Sequence, residues 1–441
     1  MRWVFLLLTS YFFYMNWEPI YALLIGSSTV ITYACAYFMD SLRVDRKRKT
    51  LLILCIVLNF GILFLFKYYN FITDSAFDLL TYLGLRVDFP KFSLLLPVGI
   101  SFYTFQAVGY AVDVYKKRLP HEKHFGKYAL FVSFFPQLVA GPIERATSLL
   151  PQFHKVIRFD YGRAIDGTKL IIWGYFMKVV VADRLSIYVD SVYNNPEMHS
   201  SISLVVATIF FAFQIYCDFG GYSSIAIGCA KILGFDLMTN FRRPYFAQTC
   251  GEFWHRWHIS LSTWFKDYVY IPMGGSRVST SRRYLNLMVA FLVSGLWHGA
   301  NWTFVIWGGL NGLFQVLLIV FKLNAPKSAA KWATGLRILT TFVLINFTWI
   351  FFRANSLTDA TVIIKRIATQ SGSFFIGDNA GFIYSLLGIS ILLAKDLYDE
   401  LNLNLPIAEH TYSKYLWYTS LTLMILLFGV FDGSEFIYFQ F

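Results

Sequence analysis

His298 is the first residue of this sequence whose type and position could support catalysis. It lies in the motif SGLWHGANW, between the end of one apolar run and the start of the next. Ionisable side chains at membrane depth are costly and usually have a function. Imidazole can take and return a proton near neutral pH. We therefore predict acid–base chemistry at His298; the alternative is a structural histidine that hydrogen-bonds a backbone carbonyl.

The motif WHRWH, which ends at His258, supplies a second group of candidates. His255 and His258 are three residues apart and would share one face of a helix. A metal site needs three or four ligands, and neither Glu252 nor Cys250 stands at a matching spacing, so no metal is predicted. The motif suits an amphipathic segment at the membrane interface. Alternatively, Arg256 and neighbouring basic residues hold the phosphates of a cytosolic donor such as coenzyme A.

Other common catalytic motifs are missing from the sequence. It has no Gly-rich phosphate loop, no GxSxG elbow and no paired-carboxylate motif, which argues against a hydrolase or a nucleotide-driven enzyme. The five cysteines lie in or beside apolar runs without ligand spacing, so buried thiols are expected. Asp183, Arg184 and Asp218 lie within or near apolar runs, and we interpret them as structural charges.

The composition shows what kind of protein must position these residues. The 441 residues are 56% hydrophobic and 15% charged, against about 45–50% and 25% in soluble domains. These values exclude a soluble enzyme, a disordered chain and a disulfide scaffold, and they predict an all-α polytopic membrane protein. The net charge of +12 then indicates basic cytoplasmic loops rather than nucleic-acid binding.

Apolar runs of the length that a bilayer requires recur along the whole chain. A shorter run at 3–16 either spans with a tilt or only embeds, so about ten or eleven crossings are expected in one membrane domain, 1–441. The longer runs lie near 18–39, 51–69, 92–115, 168–190, 202–234, 285–300, 302–321, 336–352, 380–395 and 413–431.

Charge asymmetry orients the first half of the chain. The loop Arg43–Lys49 is strongly basic and should be cytoplasmic. The acidic loop Asn70–Lys91 should lie outside, and the basic loop Lys116–Lys127 should lie inside again. The loop Lys395–Glu409 is net acidic and leaves the C-terminal third unassigned.

Two stretches fit neither a clean span nor a polar loop. Residues 131–143 contain Pro136, Gly141 and Pro142 in a short apolar run, and residues 241–275 mix aromatic and basic side chains. Non-helical backbone at membrane depth survives only when it is buried in protein or lines a wet cavity. We therefore expect re-entrant or interfacial segments around a central cavity.

Several blocks together resemble the membrane-bound O-acyltransferase (MBOAT) family, in particular its bacterial branch of alginate O-acetylation and teichoic-acid D-alanylation proteins. The resemblance covers most of the chain, with a motif core at about 92–321. The blocks are PVGISFYTFQAVGYAVDVY, FFPQLVAGPI, YCDFGGYSSIAIGCAKILGF, FWHRWHISLSTWFKDYVYIPMGG, SGLWHGANWTFVIWG, FFRANSL and the terminal FIYFQF.

The resemblance implies a ring of about 10–11 tilted transmembrane helices, with re-entrant segments around a central tunnel. It matches His298 to the catalytic histidine at the waist of that tunnel and His258 to a second histidine with a supporting or binding role. The side chains near these two histidines would guide the donor or shape the tunnel. We assign that role to Trp257, His255, Arg256, Trp297, Asn301 and Trp302.

The implied reaction moves an acyl group, most simply acetyl, from a cytosolic thioester such as acetyl-CoA to a hydroxyl of an extracytoplasmic polysaccharide. No bound cofactor is expected. Transfer would occur in the cytoplasmic (inner) membrane, directly or through an extracytoplasmic acyltransferase partner. Gly220, Ser224 and Asn311 depart from the pattern of many relatives, which weakens any assignment of the acceptor by analogy with alginate.

Other functions stay open at this point. Within the same chemistry, D-alanyl transfer toward teichoic acid is the alternative. A transporter would also explain the many spans and the charges among them, but such proteins often contain inverted repeats, which we do not find here. A scaffold of an export complex is a third possibility, and it predicts that His298 is dispensable.

Overall fold

The computed structural model describes residues 2–85, 87–92, 96–323, 330–403, 410–431 and 436–437. The start of the predicted 92–115 run, the end of the acidic loop at Glu409 and residues 438–441 of the terminal motif lie outside the described residues. Within the described ranges the secondary structure is helical, with no β-strand. This confirms the predicted all-α class.

The helices of the first part of the chain are α1 (Arg2–Met15), α2 (Tyr21–Ser41), α3 (Asp45–Leu63), α4 (Tyr69–Tyr82), α5 (Ile100–Tyr115), α6 (Phe125–Ser133), α7 (Phe135–Leu138), α8 (Ala146–His154), α9 (Tyr161–Tyr175), α10 (Asp183–Tyr193) and α11 (Ser201–Ile232). Those of the second part are α12 (Cys250–Arg256), α13 (Ile259–Phe265), α14 (Thr280–His298), α15 (Trp302–Val320), α16 (Lys331–Arg353), α17 (Leu357–Thr369), α18 (Asn379–Glu400) and α19 (Thr411–Phe428). Short π-helical turns at Phe64–Tyr68 and Phe176–Ala182 join α3 to α4 and α9 to α10.

Six helices among the described residues are long and apolar enough to cross a bilayer, which supports a multi-pass membrane protein. The other predicted runs also form helices, in α5, α9–α10, α14 and α19, but they fall outside this set. The six candidates are Tyr21–Ser41, Asp45–Tyr82, Ser201–Ile232, Trp302–Val320, Lys331–Arg353 and Asn379–Glu400.

The chain packs into two compact units. Unit 1 comprises Met1–Asp160 and Leu233–Met238, and unit 2 comprises Tyr161–Ile232 and Thr239–Phe441. In unit 1, helix α5 is buried along nearly its whole length. The guanidinium of Arg48 is also buried there, and it donates to the carbonyls of Met39 (3.1 Å) and Tyr115 (2.9 Å). Helix ends leave carbonyls unsatisfied, and this arginine serves two of them.

The first of the two unusual stretches, 131–143, is broken as predicted. Helix α6 ends at Ser133, the short helix α7 follows, and the chain then runs on without regular structure. The carbonyl of Phe131 accepts hydrogen bonds from the side-chain amides of Gln106 (2.6 Å) and Gln137 (3.0 Å). Buried side-chain amides therefore satisfy a carbonyl in the last turn of α6, where the helix ends.

Unit 2 is organised around the long helix α11. Helices α9 and α11 approach to backbone contact, because a Cβ added at Gly167 would lie 2.6 Å from the carbonyl oxygen of Gly228. Gly174 makes the same approach to Gly221. Small residues permit such close helix pairs in membranes.

A buried ion cluster fastens α11 to the neighbouring π-helical turn. The ammonium of Lys178 lies 2.7 Å from the carboxylate of Asp183 and 2.8 Å from that of Asp218. The carboxylate of Asp218 also accepts the backbone N–H of Ile437 at 2.8 Å. Asp183 and Asp218 thus lie in one structural ion cluster, in line with the sequence interpretation.

Candidate active site

A cavity of about 310 Å³ in unit 2 is bordered by α12, α13 and one side each of α14 and α15. Both predicted catalytic histidines, His258 and His298, line it, and most of the other lining atoms are apolar. The lining residues are Gly251, Trp254, His255, Trp257, His258, Ile259, Leu261, Ser262, Thr263, Phe265, Lys266, Tyr270, Leu287, Ala290, Phe291, Ser294, His298 and Gln315.

The second unusual stretch, 241–275, supplies much of this cavity wall. It is divided into a 3₁₀ turn, the seven-residue helices α12 and α13 and a π-helical turn at Lys266–Tyr270. Thr249 caps the start of helix α12, because its side chain accepts from the N–H of Glu252 (3.1 Å). The Glu252 carboxylate accepts from the N–H of Gln248, the residue before the cap (2.9 Å). The predicted break and its place beside a cavity are both present.

His298 is the last residue of α14 and is only 3% exposed. The edges or faces of three aromatic rings surround its imidazole. The ring centroids lie 4.8 Å away for Trp307, 5.0 Å for Trp297 and 5.2 Å for Phe352, each close to perpendicular. Such contacts hold the ring by shape, and aromatic faces also stabilise a nearby positive charge.

Two glycines bring the helices around His298 into backbone contact. A Cβ added at Gly295 would lie 2.2 Å from the carbonyl oxygen of Phe304, and one at Gly308 would lie 2.4 Å from that of Phe291. Helices α14 and α15 therefore cannot accept even alanine at these positions without moving apart. The distance between His298 and Trp307 is fixed by this helix pair.

His258 joins α12 to α13 and is 1% exposed. Its backbone is left-handed (φ 42°, ψ 54°), a conformation uncommon for residues other than glycine. Short backbone bonds hold this turn against residues 240–242: Ile259 N–H donates to the carbonyl of Asn240 (2.9 Å) and Arg242 N–H to that of Arg256 (2.8 Å). The strained turn is thus imposed by its surroundings.

A buried polar network fixes the His258 ring. The side-chain amide of Asn240 donates to Ser223 Oγ (3.1 Å), so its oxygen is the acceptor for the other contacts. That oxygen lies 3.1 Å from His258 Nδ1, 3.0 Å from Ser260 Oγ and 3.2 Å from Ser260 N. His258 therefore carries its proton on Nδ1, and Nε2 bears the lone pair.

In the sequence, His258 lies between the candidate spans Ser201–Ile232 and Trp302–Val320. Its burial lowers the pKa of the imidazole well below its usual value. Desolvation disfavours the charged form. At neutral pH the ring is therefore neutral. The two histidines share one neighbour, Trp297, whose ring centroid lies 5.9 Å from that of His258 and 5.0 Å from that of His298.

The other predicted donor or tunnel residues fall into different places. His255 and Trp257 line the cavity, and Trp257 is buried against the rings of Phe253 (5.3 Å) and Trp349 (5.2 Å). Trp297 contacts both histidines. This geometry is compatible with the donor or tunnel role predicted for His255, Trp257 and Trp297, and that role remains a prediction.

Three other predicted donor or tunnel residues are not among those that line the cavity: Arg256, Asn301 and Trp302. Arg256 pairs with the carboxylates of Glu252 (2.6 Å) and Glu400 (2.8 Å) and is not among the residues that line the cavity. Asn301 caps helix α15, accepting from the N–H of Thr303 at 2.9 Å. Trp302 is 51% exposed. None of the three lines the cavity in this structure.

Three site residues were missed by the sequence analysis: Asn240, Trp307 and Phe352. Asn240 stands in an unremarkable loop, TNFRRP, and its role depends on a partner 18 residues away. Trp307 and Phe352 belong to the resembling blocks WTFVIWG and FFRANSL, which was the available signal. Among the described residues, no group of three or more histidine, cysteine or carboxylate side chains is arranged to hold a metal ion.

Comparison with known proteins adds a family match. Residues 9–358 match the family model described as MBOAT, membrane-bound O-acyltransferase family. The two buried histidines of the cavity, His258 and His298, lie within the matched residues.

Individual relatives are also recognisable. The chain is 38% identical over 356 residues to the probable alginate O-acetylase of Pseudomonas aeruginosa, covering 80% of this chain and 67% of that protein. It is 35% identical over 393 residues to the peptidoglycan O-acetyltransferase of Helicobacter pylori (83% and 74% covered). Identity to the teichoic acid D-alanyltransferase of Streptococcus thermophilus is 26% over 293 residues (59% and 69% covered).

Proposed function

Because the chain belongs to the membrane-bound O-acyltransferase family, we propose that it transfers an acetyl group to a hydroxyl of an extracytoplasmic polysaccharide. The donor is a cytosolic thioester, acetyl-CoA, and the chain works in the cytoplasmic membrane. One observation carries the proposal: two buried histidines line a single apolar cavity built from the family's motifs. The higher identity to O-acetylating relatives than to the D-alanyltransferase supports acetyl as the group transferred.

In this proposal His298 is the general base. Its neutral imidazole takes the proton of the acceptor hydroxyl while the hydroxyl oxygen bonds to the thioester carbonyl carbon. The carbon–sulfur bond then breaks, and the imidazolium gives its proton to the leaving thiolate. The aromatic rings around His298 stabilise the transient imidazolium. General acid–base catalysis of this kind contributes about 10²–10⁴-fold.

His258 has a supporting role beside this base. Its Nδ1 proton is committed to Asn240, so Nε2 can only accept a hydrogen bond. A hydroxyl in the cavity has a proton to donate to such an acceptor. We therefore assign His258 to orienting a substrate group, with His298 performing the proton transfer.

The apolar lining protects the thioester. Water in the cavity would compete with the acceptor hydroxyl and hydrolyse the donor. Most lining atoms are carbon, and the large rings of Trp254, Trp257 and Phe291 form part of the wall. Exclusion of water also strengthens electrostatic interactions between the histidines and the substrates.

An extracytoplasmic acyltransferase partner completes the proposal. Such a partner would take the acetyl group on a hydroxyl of its own or present the polysaccharide to the cavity. Affinity purification of the full chain from its native membrane, followed by identification of co-purifying exported proteins, tests this part. Recovery of the chain without any exported transferase, under conditions that preserve the membrane, contradicts it.

The central experiment measures ester groups on cell-surface polysaccharides by NMR. It compares wild type with His298→Ala at equal membrane abundance, with His410→Ala, an exposed histidine outside the cavity, as the matched control. Loss of acetyl ester in His298→Ala alone is the expected result. Loss of alanyl ester instead would indicate that the enzyme catalyses D-alanyl transfer toward teichoic acid. Unchanged esters would refute the enzyme assignment and favour a transporter or scaffold.

A further inference from the structure

Unit 1 contains a second cavity, of about 130 Å³, beside the first turn of α1. Among the described residues that line it, the side chains of Arg2, Lys127 and Lys155 are cationic and none is acidic. Aromatic side chains, including Phe153 and Phe235, form apolar walls. A small cavity with a cationic rim and an apolar wall is suited to a compact anion.

The positive charge of this cavity is only partly compensated. Arg2 lies over the ring of Phe235, 4.8 Å from its centroid, and donates to the carbonyl of Leu233, which is neutral. Lys127 Nζ donates to Nδ1 of His154 at 2.9 Å, and Nε2 of His154 donates to the carboxylate of Glu122 at 2.9 Å. The carboxylate of Glu122 is therefore separated from Lys127 by the imidazole ring of His154.

The walls of the cavity are fixed in place. The side chain of Gln152 binds the backbone of Asp236 twice, accepting from its N–H (2.8 Å) and donating to its carbonyl (3.0 Å). The ring of Trp3 packs edge-on against His124 at 4.5 Å. A Cβ at Gly126 would lie 2.3 Å from the same ring, so only glycine admits it. The cationic groups are thus carried by a braced site rather than by loose surface loops.

The cavity also lies at one end of a lipid-facing helix. Phe5, Leu8 and Phe12 of α1 are 69%, 65% and 76% exposed, as expected for side chains against hydrocarbon. Arg2 precedes them at the start of α1, and a basic residue at the end of an apolar helix suits a membrane–water interface. Charge asymmetry predicts that the neighbouring loop Lys116–Lys127 is cytoplasmic.

We propose that this cavity binds the phosphate group of a phosphate ester, with Arg2, Lys127 and Lys155 as its countercharges. Two sources of that chemistry reach a cytoplasmic membrane surface: the headgroup of an anionic phospholipid and a soluble phosphate ester such as coenzyme A. The site is separate from the histidine cavity, and it does not depend on the proposed transfer reaction.

The test uses the purified full-length protein in phosphatidylcholine nanodiscs. Binding of a short-chain fluorescent phosphatidic acid and of coenzyme A is measured separately for wild type and for the Lys127→Gln/Lys155→Gln variant. Lys47→Gln/Lys49→Gln, which removes two exposed lysines of unit 1, is the matched control. Since a basic residue near a lipid surface contributes about 1 kcal/mol, each lost lysine should weaken binding about fivefold and the pair about 25-fold.

The two probes, phosphatidic acid and coenzyme A, identify the source of the phosphate. Weaker binding of phosphatidic acid in the cavity variant points to a lipid headgroup, and weaker binding of coenzyme A points to the soluble ester. Lys127→Arg/Lys155→Arg retains both charges and should restore the wild-type affinity. Equal affinities in the cavity variant and the control, for both probes and at equal thermal stability, would overturn the proposal.

Discussion

The two buried histidines of the unit 2 cavity, His258 and His298, are held in different ways. Packing surrounds His298, with three aromatic rings at 4.8–5.2 Å. Hydrogen bonding fixes His258, whose Nδ1 proton faces Asn240 in a left-handed turn. Aromatic faces can stabilise a protonated His298 ring, whereas the Asn240 oxygen selects the Nδ1–H tautomer of His258 and burial keeps that ring neutral. The surroundings therefore suit His298 for carrying a proton and His258 for holding a substrate in place.

The largest expected effect separates the two residues directly. His298→Gln should lower the rate of acetyl transfer by about 10²–10⁴-fold, the usual contribution of acid–base catalysis. His258→Gln removes one oriented hydrogen bond, worth about 1.4 kcal/mol or roughly tenfold in rate. Initial rates with acetyl-CoA in proteoliposomes that also contain the acceptor system measure both. Equal losses of transfer rate in the two variants would contradict the different roles assigned to His298 and His258.

The second prediction concerns the support of His258. Asn240→Ala leaves three buried donors, on His258 and Ser260, without their acceptor. The free energy of unfolding should fall by about 2–3 kcal/mol, since unsatisfied buried groups are costly. Thermal melts in detergent measure the loss, and Asn195→Ala, at an exposed asparagine, is the control. A loss no larger than that of the control would mean that the network does not hold the ring.

The third prediction is a pH dependence of stability. The pKa of His258 is lowered in the folded protein by burial, so below about pH 6.5 the unfolded chain binds a proton that the folded chain does not. The stability associated with the neutral ring is therefore present at higher pH and decreases as the pH falls below about 6.5, by at most about 1.4 kcal/mol per pH unit. Melting temperatures at pH 7.5, 6.5 and 5.5 should decline more steeply in wild type than in His258→Gln. Parallel declines would show that His258 is not the group responsible.

The smallest expected effect tests the aromatic surroundings of His298. Phe352→Leu removes one ring beside the imidazole, an interaction worth about 0.5–1.5 kcal/mol. The transfer rate should fall by a few fold as the imidazolium loses stabilisation. Phe347→Leu on the same helix, at a 39% exposed ring, is the matched control. A transfer rate no lower than that of the control would remove Phe352 from the role assigned to it.

Sequence reasoning recovered the parts of the site that local pattern determines. His298 stood out because an ionisable residue followed an apolar run, and the break in 241–275 followed from its mixed composition. The structure places His258 and His298 at one cavity, and the roles that the family resemblance implies for them stay predictions. The helical class was likewise available from composition, because so apolar a chain requires a lipid solvent.

The parts that depend on distant partners could not be predicted. Arg256 was one candidate for holding donor phosphates, and nothing in the sequence pointed to its partner Glu400, 144 residues further along the chain. Asn240 gave no signal, since an asparagine in a polar loop is ordinary and only the fold sets it against His258. Hydropathy alone also gave ten runs, and in the part of the chain that the structure describes six of them form helices that meet the length and polarity requirements of a span.

The ion cluster at Lys178 has a consequence for biosynthesis. Asp218 lies within α11, but the backbone N–H of Ile437 that it accepts follows 219 residues later. At about 5–20 residues per second, translation brings Ile437 out of the ribosome roughly 10–45 s after Asp218. Until then the carboxylate is already among apolar helices with part of its hydrogen bonding unmade. Unit 2 therefore completes the hydrogen bonding of Asp218 only after residue 437 has been synthesised, so a chain interrupted before that point would lack this bond.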